Sequence, residues 1–226
     1  MGTGTMTLSE KAYSAIRRDI IQGVLSADQP LRMADLSARY EMGFSPLREA
    51  LSRLQVERLV VAEALRGFRV APVSVAEMQD AINTRILLEC DALRLSIQHG
   101  DDDWSAAIVA ALYALKLQVD RASGGSVDVW EIEARHYAFH RALLAACQSP
   151  WRMEFFERLY ATTERYRIPI LVASRAAGPL GRDIQAEHSA IADAVLARDT
   201  ATSVRLLAEH YTKTAVSIRN QMDTAA

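Results

Sequence analysis

Leu36-Ser37-Ala38-Arg39-Tyr40-Glu41-Met42-Gly43-Phe44-Ser45-Pro46-Leu47-Arg48-Glu49-Ala50-Leu51-Ser52-Arg53-Leu54 decides how the rest of this chain is read. Leu36 and Tyr40 share one face of a short helix predicted from about Met33. Glu41 to Phe44 is a tight connection. Ser45-Pro46 then reads as a helix start, because serine suits the N-cap and a proline in the first turn loses no hydrogen bond. The helix predicted from there to about Arg58 buries Leu47, Ala50, Leu51 and Leu54. Ser45, Arg48, Ser52 and Gln55 are left on or near its free face.

Upstream, Leu8, Ala12, Ile16 and Ile20 recur at helical spacing, and Gly23 stands where a glycine C-cap is expected. Downstream, residues 59–63 and 68–71 are β-like runs separated by Ala64-Leu65-Arg66-Gly67, a hairpin with an arginine and a glycine near its tip. Three short helices followed by a hairpin is the layout of a winged helix-turn-helix. The chemistry suits double-stranded DNA. A helix start at Ser45 presents N–H donors to a phosphate, Arg48 reaches a phosphate or a guanine edge, and Arg66 and Arg69 flank a groove from the wing. A small helical domain with merely solvated arginines, or a protein-contacting adaptor, has the same outline.

The 226 residues are 50% apolar and 24% charged with a net charge of -2, which excludes a disordered chain or a disulfide scaffold and leaves room for two modest domains. The longest charge-free stretch is Trp104 to Leu115, well short of the roughly 20 apolar residues of a spanning helix, so no membrane span is predicted. Met1 to Ser9 lacks the pattern of a secretory signal, and Cys90 and Cys147 lie singly in apolar stretches. A cytoplasmic protein with reduced thiols is expected. Residues 1–75 hold ten Lys and Arg against eight Asp and Glu, net +2; the remaining sixteen against twenty give -4, so the basic part is the first third.

Beyond residue 72 the pattern is helical throughout. Ser74-Val75-Ala76-Glu77 has the spacing of a capping box, and the helix after it runs to about His99. Further helices are predicted near 102–122, 127–147, 151–172, 183–197 and 200–220. They are separated by Gly100, Gly124-Gly125-Ser126, Ser149-Pro150, Gly178-Pro179-Leu180-Gly181 and Arg198-Asp199. The expected fold is mainly α: a winged helix-turn-helix over residues 1–72, then an antiparallel bundle of six helices over 73–226.

Chemistry in the bundle centres on histidine. His136 and His140 stand four apart and face one way. His188 and His210 lie 11 residues before and 11 after Asp199, where two helices turn, so antiparallel packing brings them to one height. Four imidazoles from three helices suit a divalent transition metal, zinc or nickel first. His99 is left outside. Glu133-Ala134-Arg135-His136 supplies a single Glu-x-x-His step, whereas a di-iron bundle needs two such steps and further glutamates. A helical metalloenzyme is therefore the alternative reading, and no catalytic residues are assigned.

The 36–54 run, followed by Arg66-Gly67-Phe68-Arg69-Val70, closely resembles the DNA-binding domain of GntR-family bacterial transcription regulators. The resemblance implies that Ser45 and Arg48 contact DNA and that Gly67 lets the wing tip approach the minor groove. Gly43 and Phe44 depart from the commoner family pattern, which removes a base-reading arginine. Residues 133–147 and Glu187-His188-Ser189-Ala190-Ile191 through His210 resemble the FCD ligand-sensing domain of the FadR subfamily. In many such domains an Asp and three His hold a metal that, with an arginine, receives a small carboxylate. The resemblance places His140, His188 and His210 on the three histidines and His136 on the usual Asp. It places Arg85 on the effector arginine, although an i,i+4 pair with Glu89 competes for that side chain. It also implies a homodimeric regulator, read as a repressor on a palindromic operator, controlled by a small organic acid.

Overall fold

The computed structural model describes residues 6–64, 66–123, 128–177 and 182–225. Helix α1 (Leu8–Ile21) opens on a reciprocal cap. Thr7 Oγ1 accepts the Glu10 N–H at 3.2 Å, while the Glu10 carboxylate accepts the Thr7 N–H at 2.7 Å. Ala12, Ile16 and Ile20 turn inward as their spacing predicts. Leu8 does not: at the first helical position it is 60% exposed.

Strand β1 (Pro30–Leu31), helices α2 (Met33–Tyr40) and α3 (Phe44–Val56), and strands β2 (Val60–Glu63) and β3 (Gly67–Val70) complete the first third. Glu41 ends α2 in the left-handed region at φ 54°, and Ser37 Oγ donates to the Met42 carbonyl at 2.8 Å, which closes the turn onto α3. The N-cap of α3 is Gly43, not Ser45, so Ser45-Pro46 lie within its first turn. The hairpin strands sit one residue off the expected runs, and a third strand joins them. The sheet order is β1-β3-β2, with Leu31 opposite Phe68 and Val60 opposite Val70. Ile16, Leu36, Leu47, Leu51, Leu54 and Val60 form the core beneath.

By compactness the chain divides into two units. One is the chain up to Ser74 together with residues 164–169; the other is residues 75–163 and 170–226. The second unit is built from α4 (Val75–His99), α5 (Asp102–Ser123), α6 (Val129–Leu144), α7 (Pro150–Ala177) apart from its residues 164–169, α8 (Ile184–Leu196) and α9 (Thr200–Ala225). Helix α4 packs on α6 and α9, α5 on α6 and α8, and α8 on α9. Gly100 ends α4 because nothing larger fits: a Cβ there would stand 2.1 Å from the Trp104 ring. The predicted Gly124-Gly125-Ser126 and Gly178-Pro179-Leu180-Gly181 breaks lie outside the described residues, as does Leu65 of the wing turn.

The core of this unit mixes Leu93, Ile108, Phe139 and Val195 with polar groups. Arg85, Glu89, Glu133, His140, His188 and His210 are all buried. Buried charge is costly unless it is paired, so a set of this size in one helical core marks a site. Among the described residues, no helix is long and apolar enough to cross a membrane.

Candidate functional site

The first unit presents its polar residues outward. Phe44, Ser45, Arg48, Glu49 and Ser52 line a shallow concavity along the exposed face of α3, opposite the buried Leu47, Ala50, Leu51 and Leu54. Gly43 contributes no side chain to the helix start, so the first N–H groups of α3 lack a side-chain cap. At the wing, Gly67 has φ +87°, a conformation that glycine adopts without strain, and Arg66 beside it is exposed. Arg69 is placed differently. It pairs with Asp28 and, at 2.7 Å, with Glu63, and so braces the base of the wing. Among the described residues Arg48 and Arg66 have no ion-pair partner.

The second unit turns its polar residues inward. His136 and His140 come from α6, His188 from α8 and His210 from α9. Helices α8 and α9 join through Arg198, at φ 58°, and Asp199, whose carboxylate caps α9 by accepting the Thr202 N–H at 3.0 Å. This tight reversal brings the His188 and His210 rings to 4.7 Å between centroids. His136 Nε2 and His140 Nε2 are 3.1 Å apart. One ligand atom from each of the four rings lies within 4.8 Å of all the others.

Burial favours the neutral form of three of these rings. It pushes His140 and His188 well below the ordinary histidine pKa, with the neighbouring imidazoles adding to the effect, and it lowers His210 although a hydrogen bond to Glu187 opposes the shift. Neutral imidazoles present lone pairs. His188 Nε2 is buried without a hydrogen-bond partner, an unmet acceptor or donor in the middle of a helical core. Two nitrogens bound at roughly 2.0–2.1 Å to one zinc-like ion are about 2.9–3.4 Å apart for bond angles of about 90–110°. The His136–His140 separation falls in that range. The donor set fits a divalent transition metal and, with no carboxylate among the four, suits imidazole-preferring ions better than magnesium or calcium.

Two models of known domains match this chain: bacterial regulatory proteins of the gntR family over residues 8–70, and the FCD domain over residues 80–213. The chain belongs to the GntR family. It is 38% identical over 216 residues to the HTH-type transcriptional regulator BphR of Paraburkholderia xenovorans, covering 95% of this chain and 86% of that protein. It is 38% identical over 199 residues to the HTH-type transcriptional repressor GlaR of Escherichia coli, covering 88% and 90%. The solved structure of E. coli McbR/YncC shares the fold, with a TM-score of 0.74 at 20% identity over 96% of this chain and 100% of that one. This GntR-family member is thus a DNA-binding transcription regulator with a winged-helix N-terminal domain and an FCD domain, and not an enzyme.

Within the FCD domain, Arg85 is 2% exposed. Its Nε donates to Glu89 at 2.6 Å, Nη1 to Thr163 Oγ1 at 3.0 Å and Nη2 to the Tyr211 hydroxyl at 3.1 Å. The i,i+4 pair is therefore formed, and all three guanidinium nitrogens hydrogen-bond within the protein. Residues that sequence reasoning passed over hold the rings from behind. Tyr160 OH lies 2.7 Å from His136 Nδ1, Tyr211 OH 2.9 Å from His140 Nδ1, and Glu187 2.9 Å from His210 Nδ1. Glu187 is itself held by Arg182. Burial works against its charge, but hydrogen bonds from Arg182 and His210 outweigh that and hold its carboxyl well below the usual carboxylate range. Tyr211 follows His210 directly and Glu187 precedes His188, so adjacency to a histidine was a signal for both. Tyr160 and Arg182 had none. Tyr137 and Arg141 reach Glu157 on the surface, and Trp151 is exposed.

Proposed function

We propose that this regulator represses its target by binding a palindromic operator as a homodimer, and that a divalent transition metal and a small organic acid in the FCD domain control that binding. On the DNA side, the uncapped N–H groups of α3 and the Ser45 hydroxyl take phosphate, Arg48 reads or grips from the helix face, and Arg66 enters a groove from a wing whose turn depends on Gly67. Arg69 supports the wing rather than touching bases.

In the FCD domain His136, His140, His188 and His210 hold the metal, zinc or nickel. When bound, such an ion supplies a Lewis-acidic positive charge to which an effector carboxylate can add. The chain's own groups set up that chemistry: burial favours neutral His140, His188 and His210, and the charges of Arg85 and Arg182 act in the same direction. Arg85 favours a small carboxylate by its field. Its hydrogen bonds to Glu89, Thr163 and Tyr211 place the fork inside the protein.

The observation that carries this reading is the convergence of four imidazoles around an unpartnered, buried His188 Nε2. Elemental analysis of untagged protein purified without chelator tests it. About one transition-metal ion per chain is expected, lost in His140→Ala. Metal-free wild-type protein would sink the metal centre while leaving the DNA reading intact.

A further inference from the structure

Behind His140 runs a chain of hydrogen bonds that starts at a buried carboxyl group. Glu89 is 0% exposed and pairs with Arg85, and both its oxygens serve as acceptors, Oε1 for Arg85 Nε and Oε2 for the Tyr211 hydroxyl. The Tyr211 hydroxyl donates its one proton to Glu89 Oε2. The Tyr211 hydroxyl oxygen in turn accepts Arg85 Nη2 at 3.1 Å. The hydroxyl also meets His140 Nδ1 at 2.9 Å, and with the tyrosine proton already given to Glu89, the hydrogen between them is the histidine's. His140 is neutral and carries one ring proton, so its Nε2 is bare. That bare nitrogen is the atom facing His136 Nε2.

We infer that Tyr211, held by Glu89 and Arg85, is a positioning residue that locks His140 in the Nδ1–H tautomer and so aims its Nε2 lone pair into the four-histidine centre. Metal-ligating histidines commonly have their second nitrogen tied to a carboxylate or carbonyl, which fixes the ring and raises its basicity. Here a tyrosine carries that influence from a carboxylate one step further back. Arg85 then acts through Tyr211 and Glu89, and its burial is part of the arrangement. The other side of the centre is built without the intermediary, since His210 Nδ1 donates straight to Glu187. For the metal-holding role of His140 the inference rests on the proposed four-histidine metal centre. The tautomer itself does not depend on it.

Nitrogen-15 NMR of the histidine side chains in metal-free, full-length protein, together with zinc titration of the same samples, tests both parts. Wild type is expected to show His140 protonated at Nδ1. In Tyr211→Phe the preference is lost and zinc affinity falls about 10–100-fold. Glu89→Gln gives an independent check: a carboxamide can donate to the tyrosine oxygen, which frees the hydroxyl proton for His140 and shifts it towards the Nε2–H form. A wild-type His140 protonated at Nε2, or a Tyr211→Phe protein with unchanged tautomer and unchanged zinc affinity, overturns the relay. Wild type that has the Nδ1–H tautomer but takes up no zinc supports the relay and overturns the metal centre alone.

Discussion

The two units of this regulator solve opposite problems. The winged-helix unit keeps an apolar core of Ile16, Leu47, Leu51 and Leu54 and places Ser45, Arg48 and Arg66 outside it, where solvent screens them. The FCD unit does the reverse, setting Arg85, Glu89, His140, His188 and His210 inside the core, each buried. Surface function can change without touching the fold. Buried function cannot, because Arg85, Glu89, His140 and His210 are also hydrogen-bond partners of their neighbours.

The comparison breaks most visibly at Glu89. Glu89→Ala leaves the Arg85 guanidinium without its carboxylate in a site that is 2% exposed, and the expected loss is about 3–5 kcal/mol by chemical denaturation. Replacing both, as Arg85→Met with Glu89→Leu, is expected to restore most of that stability, since an apolar pair of similar size avoids desolvating two charges. A double variant that stays as unstable as the single one would mean that the pair holds the fold, and that Tyr211 and Thr163 depend on it for more than orientation.

Arg48→Ala sharpens the contrast from the other side. Arg48 is exposed and pairs with no acidic group among the described residues, so its removal is expected to change stability by less than about 0.5 kcal/mol. Operator affinity is expected to fall by about 1–3 kcal/mol, with a shallower dependence on salt if the lost contact is to phosphate. Binding measured by anisotropy at several salt concentrations separates base reading from phosphate gripping. Unchanged affinity would move the DNA contact elsewhere on the unit.

Legibility in the sequence divides along the same line. The α3 stripe could be read because its spacing is local and its outward face is what the inward one leaves over. The start of that helix was misplaced by a side chain that can cap but does not, since Gly43 takes the position and Pro46 fits the first turn either way. Strand β1 was invisible. Two residues, Pro30 and Leu31, form a strand only because β3 lies far along the chain, with Arg69 and Phe68 there to pair with them. In the FCD unit the four histidines could be aligned from helix geometry and the turn at Asp199. Their supports could not, because Tyr160 and His136 meet across 24 positions and Tyr211 and Glu89 across 122. Periodicity reports which face is buried and is silent on which polar pairs meet inside.

The smallest expected effect tests whether the winged-helix unit is as free of buried polar coupling as its surface suggests. Tyr13, half-buried beside α3, donates its hydroxyl to Glu57 at 2.7 Å, and Arg53 lies 3.7 Å from its ring centroid. Burial, then the hydrogen bond to Glu57, pushes the phenol up to about 12 from 10.0. The folded state therefore favours the protonated phenol more than the unfolded state does. Stability from this group is fully present below about pH 10 and drains away as pH rises through about 12. Denaturation midpoints for wild type and Tyr13→Phe should differ at pH 8 and converge towards pH 12, because phenylalanine has no proton to lose. A constant difference across that range would show that the Glu57 bond contributes nothing pH-dependent, and would leave the first unit with function on its surface alone.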